Sequence, residues 1–170
     1  QKPTLTMLVS VITATYNSAA TVERCVQSVL SQRDVEIDYV IVDGASSDTT
    51  LEVVEPYRGD VATMLSERDS GVYDALNKGI ARAKGNIIGF LHADDVFADE
   101  KVLSRVAAVF TDERIDGCYG DLEYTKPHDA NRVLRYWKSS PYKPMAFYRG
   151  WMPPHPTLYL RKEVYEKVGT

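Results

Sequence analysis

Four short apolar runs, each closed by a polar loop and followed by a helix-period segment, constrain this chain more than any other feature. Residues 7–13 are rich in β-branched side chains and break at Tyr16-Asn17-Ser18. Residues 37–42 run out into Asp43-Gly44-Ala45-Ser46-Ser47, and residues 62–65 end in Glu67-Arg68-Asp69. Residues 87–91 show no polar alternation and stop at His92-Ala93-Asp94-Asp95, the pattern of a strand covered on both faces. Between these runs, apolar residues recur at helical spacing. Ser18 is the expected cap of a helix burying Val22, Cys25, Val26, Val29 and Leu30, and Asp48 the cap of one carrying Leu51, Val54 and Tyr57. A third helix is expected over 73–84, with Val72, Leu76, Ile80 and Ala83 facing inward and Gly85 as its stop. Asp99 is placed to cap a fourth, with Val102, Leu103, Val106, Ala107 and Phe110 on its buried side. Strand and helix in alternation predict an α/β fold: a mostly parallel central sheet with helices on both faces. Ligands of such sheets bind at the carboxyl ends of the strands, where the polar residues of this chain gather.

Beyond Phe110 the pattern changes. Residues 118–125 and 132–137 read as two strands joined by a turn over 126–131, a small hairpin. The proline- and aromatic-rich stretch 139–156 reads as a loop over the site, before a strand near 157–161 and a last helical turn or two. At 170 residues, 44% apolar and 26% charged, the chain suits one globular unit. The net charge of −4, with no long basic stretch, argues against nucleic acid as the main partner. Cys25 and Cys118 have neither CxxC spacing nor paired histidines, so buried free thiols in a reducing compartment are expected. No apolar run reaches the ~20 residues needed to span a bilayer and no leader is read at the start, so the expected location is cytoplasmic. The stop at Gly169-Thr170, directly after a helix-like segment, leads to the expectation that a C-terminal part is missing.

Adjacent carboxylates are costly to hold together unless a positive charge neutralises them. Asp94-Asp95 after the most buried strand therefore suits a divalent cation, which takes one or two protein carboxylates and fills its shell with water and phosphate oxygens. The competing reading makes one of the pair a cap for the following turn. Asp43 could accept hydrogen bonds from a base N–H or ribose hydroxyl, Tyr16 offers an aromatic face, and Thr15 a hydroxyl. Neither a GxGxxG nor a GxxxxGK[ST] phosphate loop is present, which weakens dinucleotide and P-loop readings.

Four segments then resemble, in order, the motifs of family 2 glycosyltransferases. They are Val11-Ile12-Thr13-Ala14-Thr15-Tyr16-Asn17, the stretch from Val42-Asp43-Gly44 to Thr49-Thr50, the stretch from Asp69-Ser70-Gly71 to Gly79-Ile80, and Gly89-Phe90-Leu91-His92-Ala93-Asp94-Asp95. The similarity points to bacterial enzymes of O-antigen, colanic acid and other surface polysaccharide assembly. It implies the GT-A fold, Rossmann-like, over a single catalytic domain 1–170, with 1–115 as the nucleotide-sugar-binding half and 116–170 as the start of the acceptor half. By resemblance, Thr15, Tyr16 and Asn17 form the first nucleotide-contacting turn, and Asp43 faces the base. Asp69 lies near the nucleotide, and Asn77 with Gly79 matches an Asn-x-Gly on the third helix. Asp94-Asp95 stands at the DxD-type position, Asp95 as metal ligand and Asp94 toward ribose, donor sugar or metal. His92 stands where an Asp or Asn is common.

The implied reaction is inverting transfer from a nucleoside diphosphate sugar, a UDP-sugar being the expected donor, to a hydroxyl of a lipid-linked or saccharide acceptor. Mn²⁺ or Mg²⁺ is the implied cofactor. The implied location is the cytoplasm or the inner face of the cell membrane, with peripheral membrane contact compatible with it. The catalytic base is expected after Thr170; within the chain, Asp121 is the substitute, with a hydrogen-bonded structural role as its alternative. Trp151 could stack on a sugar, and His155 could bond phosphate, a hydroxyl or metal. His92 reads as structural and His128 as a turn residue without function. Two other readings stay open: a nucleotide-sugar-binding module without turnover, and a nucleotidyltransferase, which the missing glycine-rich phosphate loop disfavours.

Overall fold

The computed structural model describes residues 7–126 and 129–170. In chain order the elements are β1 (Leu8–Thr15), α1 (Val22–Leu30), β2 (Glu36–Asp43), α2 (Thr50–Val54), β3 (Thr63–Ser66), α3 (Val72–Arg82), β4 (Ile87–Phe90) and α4 (Val102–Val109). After these come β5 (Gly117–Cys118), β6 (Leu122–Lys126), β7 (Asp129–Trp137), β8 (Tyr159–Arg161) and α5 (Lys162–Val168). Six strands form one sheet in the order β3-β2-β1-β4-β8-β5, and β6 pairs with β7 in a separate antiparallel hairpin. The first four strands of that order run parallel, whereas β8 is antiparallel to β4 and β5 to β8.

The alternation of the strands assigns their side chains to two cores. Val9, Val11, Tyr39, Ile41 and Ile87 pack against α1 and α4, meeting Val26, Val29, Leu103 and Phe110. Ile12, Val40, Val42, Ile88 and Phe90 point the other way, onto Ala75, Leu76 and Ile80 of α3. Most of these are fully buried, each worth about 1.5–3 kcal/mol of apolar transfer. Helices on both faces and a mostly parallel sheet are the architecture that the alternating pattern predicts. Register also composes the carboxyl edge: Thr15 stands opposite Asp43, and Asp43 opposite Ser66, so three polar residues lie there in one row.

Several local expectations are corrected. Ser18 does not cap α1 with its side chain: its hydroxyl turns back to Tyr16, while its carbonyl accepts the amides of Thr21 and Val22. Val72 faces out rather than into the core, because it opens α3 at the rim of a cleft. The strand expected over 118–125 divides, β5 joining the main sheet and β6 the hairpin, with Gly120 and Asp121 between them. Cys118 is consequently half-buried. A 3-10 turn at His155–Thr157 shortens the last strand to β8. His128 lies outside the described residues. Asp48 does accept the Thr50 amide at the start of α2, and Gly85 follows α3 where a Cβ would meet the Ser10 amide at 2.6 Å.

Candidate active site

At the carboxyl edge of β1, β2 and β3 lies a cleft of about 760 Å³ lined by Thr15, Tyr16, Gly44, Ala45, Arg68 and Asp69, among others, and closed on one side by the start of α3. Tyr16 is 65% exposed and offers a free aromatic face. Ala45 holds φ at +59°, a sparsely populated conformation for a residue with a side chain. Such strain persists where surrounding structure fixes it, here the adjoining Asp43–Ser46 bonds.

Asp43 is fully buried. Its Oδ1 accepts the hydroxyls of Thr15 at 3.0 Å and Ser46 at 2.5 Å, and its Oδ2 accepts the Ser46 amide at 2.9 Å and the Ser66 hydroxyl at 2.7 Å. Burial alone would push this carboxyl up; the bonds from Ser46, Ser66 and Thr15 outweigh it and hold the group below its ordinary value. Four donors leave a base little to bind, so the geometry makes Asp43 the anchor of three loop ends rather than the residue that faces the base. Asn17, at φ +48°, has a similar job. Its Oδ1 accepts the amides of Ser47 at 2.9 Å and Asp48 at 3.3 Å, and its own amide donates to Ser46 Oγ. Together the two residues join the loops after β1 and β2.

Asp69 is the carboxylate that reaches the cleft. One oxygen accepts the Gly71 amide at 2.9 Å. The other occupies the space above Gly44, where a Cβ would come within 2.5 Å of it. Glycine at 44 therefore makes room for an acid brought from β3, a relation invisible in either motif alone. Arg68, also on the lining, is a cation that the sequence reading passed over within a charged loop. Asn77 is half-buried on α3 and is not among the residues lining the cleft. Gly79 has a packing reason, since a Cβ there would stand 2.4 Å from the Ile12 methyl.

Asp94 and Asp95 follow β4, next to β1 in the sheet, in a turn closed by the Asp95 amide on the His92 carbonyl. Burial first, and the charge of Asp94 second, push the Asp95 carboxyl up, partly opposed by His92. Among the described residues neither carboxylate forms an ion pair. Beneath them the Cys25 thiol donates to the His92 carbonyl, and burial pushes it up to about 12, so it stays protonated and inert. His155 arrives from the distant loop: its ring stacks on Phe90 at 6.2 Å and tilts against His92 at 5.7 Å. Burial, then the neighbouring His92, holds His155 below the ordinary imidazole value, which keeps a neutral nitrogen donor beside the acidic edge. Sequence reading singled out His155 but not its Phe90 and His92 partners, which come together only through the β4–β8 pairing.

The remaining candidates are committed elsewhere. Trp151 donates its ring N–H to Ser140 Oγ and packs among Tyr119, Tyr142 and Phe147. Asp121 accepts the Tyr136 hydroxyl and, at 2.9 and 2.8 Å, the Ser139 amide and hydroxyl, bonds that hold its carboxyl below the ordinary value. That is the structural alternative for Asp121.

Comparison with known proteins matches this frame. The chain belongs to glycosyl transferase family 2, whose model covers residues 10–169. A PGL/p-HBAD biosynthesis glycosyltransferase of Mycobacterium tuberculosis is 38% identical over 117 residues, which is 66% of this chain and 46% of the relative. A glycosyltransferase of Nostoc sp. is 33% identical over 72% of this chain and 39% of its own length. Among solved structures, S. aureus TarS 1-349 in complex with UDP-GlcNAc superposes with a TM-score of 0.73 at 20% identity, over 95% of this chain and 47% of that one. The mannosyltransferase PcManGT from Pyrobaculum calidifontis, in complex with GDP-Man and Mn²⁺, gives 0.73 at 25% identity over 98% and 48%. The fold is accordingly GT-A. It spans about half the length of the relatives it matches.

Proposed function

We propose that this chain binds a nucleoside diphosphate sugar, a UDP-sugar foremost, in the cleft beside Asp69 and serves its inverting transfer to a hydroxyl of a lipid-linked or saccharide acceptor. The pathway class is cell-surface polysaccharide assembly, in the cytoplasm or at the inner face of the membrane. Residues 1–115 form the donor half and 116–170 begin the acceptor half. The observation that carries the reading is the Asp94-Asp95 pair after β4, without an ion pair among the described residues; the neighbouring strand β1 ends in a cleft that holds an exposed aromatic face, a carboxylate and a cation, although neither aspartate lines that cleft.

The donor set fits Mn²⁺ or Mg²⁺. Asp95 with Asp94 would hold the ion and leave positions for diphosphate oxygens and water; among the described residues no third His, Cys, Asp or Glu side chain joins them in a metal-binding group. A bound cation would supply charge neutralisation for the departing diphosphate. Tyr16 stacks the base and Thr15 borders it, while Asp43 and Asn17 fix the loops that shape the pocket. Arg68 faces the anionic part of the donor, and His155 offers a neutral nitrogen to a phosphate or hydroxyl. Asp121, with its carboxylate already accepting three bonds, is a poor proton acceptor and is left out of the base role. Support for a charged sugar donor comes from the neighbours whose complexes hold UDP-GlcNAc and GDP-Man.

The Asp69 assignment is testable. A carboxylate accepts from the ring N–H of uracil or guanine, whereas cytosine and adenine present an acceptor at that edge. Calorimetry on Asp69→Asn should show the preference for UDP and GDP over CDP and ADP falling by about 10- to 100-fold, the worth of a charged hydrogen bond. Undiminished preference in the variant would remove Asp69 from base reading.

A further inference from the structure

The β6–β7 hairpin is a two-stranded ribbon with both faces open. The pairing is irregular at Leu134, since Arg135 stands opposite Tyr124 and Val133 opposite Thr125, and Val133, Leu134, Arg135 and Tyr136 are all exposed. Two strands with apolar side chains on uncovered faces are marginal in water, and a contiguous apolar patch marks an interaction surface. Of the fourteen large exposed apolar side chains among the described residues, nine fall between Tyr124 and Met152, so they concentrate in the hairpin and the loop that follows it. Hairpin and loop are also basic: over residues 121–152, six Lys and Arg stand against three Asp and Glu, in a chain whose net charge is −4. Hairpin and loop are also tied together. Tyr136 and Ser139 both donate to Asp121, and Tyr119 donates to the Ser140 carbonyl at 2.9 Å. The loop then continues to His155, at the acidic edge of the sheet.

We propose that this hairpin-and-loop face docks on an anionic lipid surface, its tyrosines and Leu134 at headgroup depth and its Lys and Arg on lipid phosphates. The sign of the charge selects the occupant: a second copy of a net acidic chain would bring this same basic face to the contact in a two-fold pair, whereas an anionic bilayer complements it. Apolar side chains and a basic cluster together are the two signals that stable peripheral binding requires, and aromatic side chains with one polar end suit the headgroup region. No helix among the described residues is long and apolar enough to cross a membrane, so this contact is peripheral. It places the edge bearing His155 toward an acceptor held in the bilayer. The inference goes beyond the donor reading, and none of its residues lies in the donor cleft.

Co-sedimentation with vesicles tests it. The protein should bind vesicles of equal parts phosphatidylcholine and phosphatidylglycerol, bind phosphatidylcholine alone far less, and be released as salt shortens the screening length. The triple change Arg132→Gln, Arg135→Gln and Lys138→Gln should weaken binding by about 10- to 100-fold, and the single change Leu134→Ser should weaken it several-fold without touching charge. UDP affinity, measured alongside, should match the parent in both variants. Binding to neither vesicle type, equal binding to both, or parent-like binding by the triple variant would overturn the proposal. So would association of the protein with itself through this face in place of vesicle binding. Absence of UDP binding in the parent would count against the donor reading alone, since the vesicle result stands independently of it.

Discussion

At Asp43, burial and hydrogen bonding pull in opposite directions, and the outcome decides what the residue does. Taking a carboxylate out of water favours its neutral form, yet Thr15, Ser46 and Ser66 supply enough donors to keep it charged. Asp43→Asn would replace an acceptor by an amide that turns N–H groups toward those donors, costing about 1–3 kcal/mol at neutral pH. Because the folded-state value lies below the ordinary carboxylate value, this stability is present above about pH 3.9 and is lost as pH falls through the lower, folded-state value. Urea unfolding of parent and variant should therefore differ at pH 7 and converge in strong acid; equal midpoints at pH 7 would contradict the anchoring role. The sequence marked Asp43 and Asp69 alike as strand-end acids. Which of them opens to the cleft depended on register, which brings Ser66 beside Asp43, and on Gly44, which leaves room for Asp69; neither is a property of a single segment.

The strands were legible because each is a short apolar run with a polar end, and a core buried on both sides leaves no alternation to confuse them. Less legible were the features set by distant pairing. Nothing near residue 159 tells that β8 enters antiparallel between β4 and β5, or that β5 and β6 must part company at Gly120 to serve two different sheets. Cap residues misled for a related reason: Ser18 has the right chemistry, but its hydroxyl turns back on its own loop and α1 starts at Val22. Gly89 is the clearest element-scale case. It interrupts the apolar run of β4 because the Tyr159 ring of β8 fills the space a side chain would need, and a Cβ there would come within 2.1 Å of Tyr159 Cε1. Tyr159 is fully buried and has little room to yield, so Gly89→Ala should cost about 1–3 kcal/mol. Thermal unfolding would show it, and an unchanged midpoint would mean that β8 is free to move off β4.

For the molecule as a whole, parallel strands bring the ends of β1, β2, β3 and β4 to one edge, so residues more than fifty positions apart in sequence serve one cleft and one acidic rim. A chain spanning about half the length of its relatives carries Tyr16, Asp69 and Asp94-Asp95 on this edge. Isothermal titration of UDP into the protein, with and without Mn²⁺, tests the central claim most directly. The account predicts affinity that rises on adding the metal, and an Asp95→Asn variant in which that gain disappears while the metal-free affinity stays near that of the parent. Equal affinities with and without Mn²⁺ in the parent, or an undiminished metal effect in the variant, would contradict it.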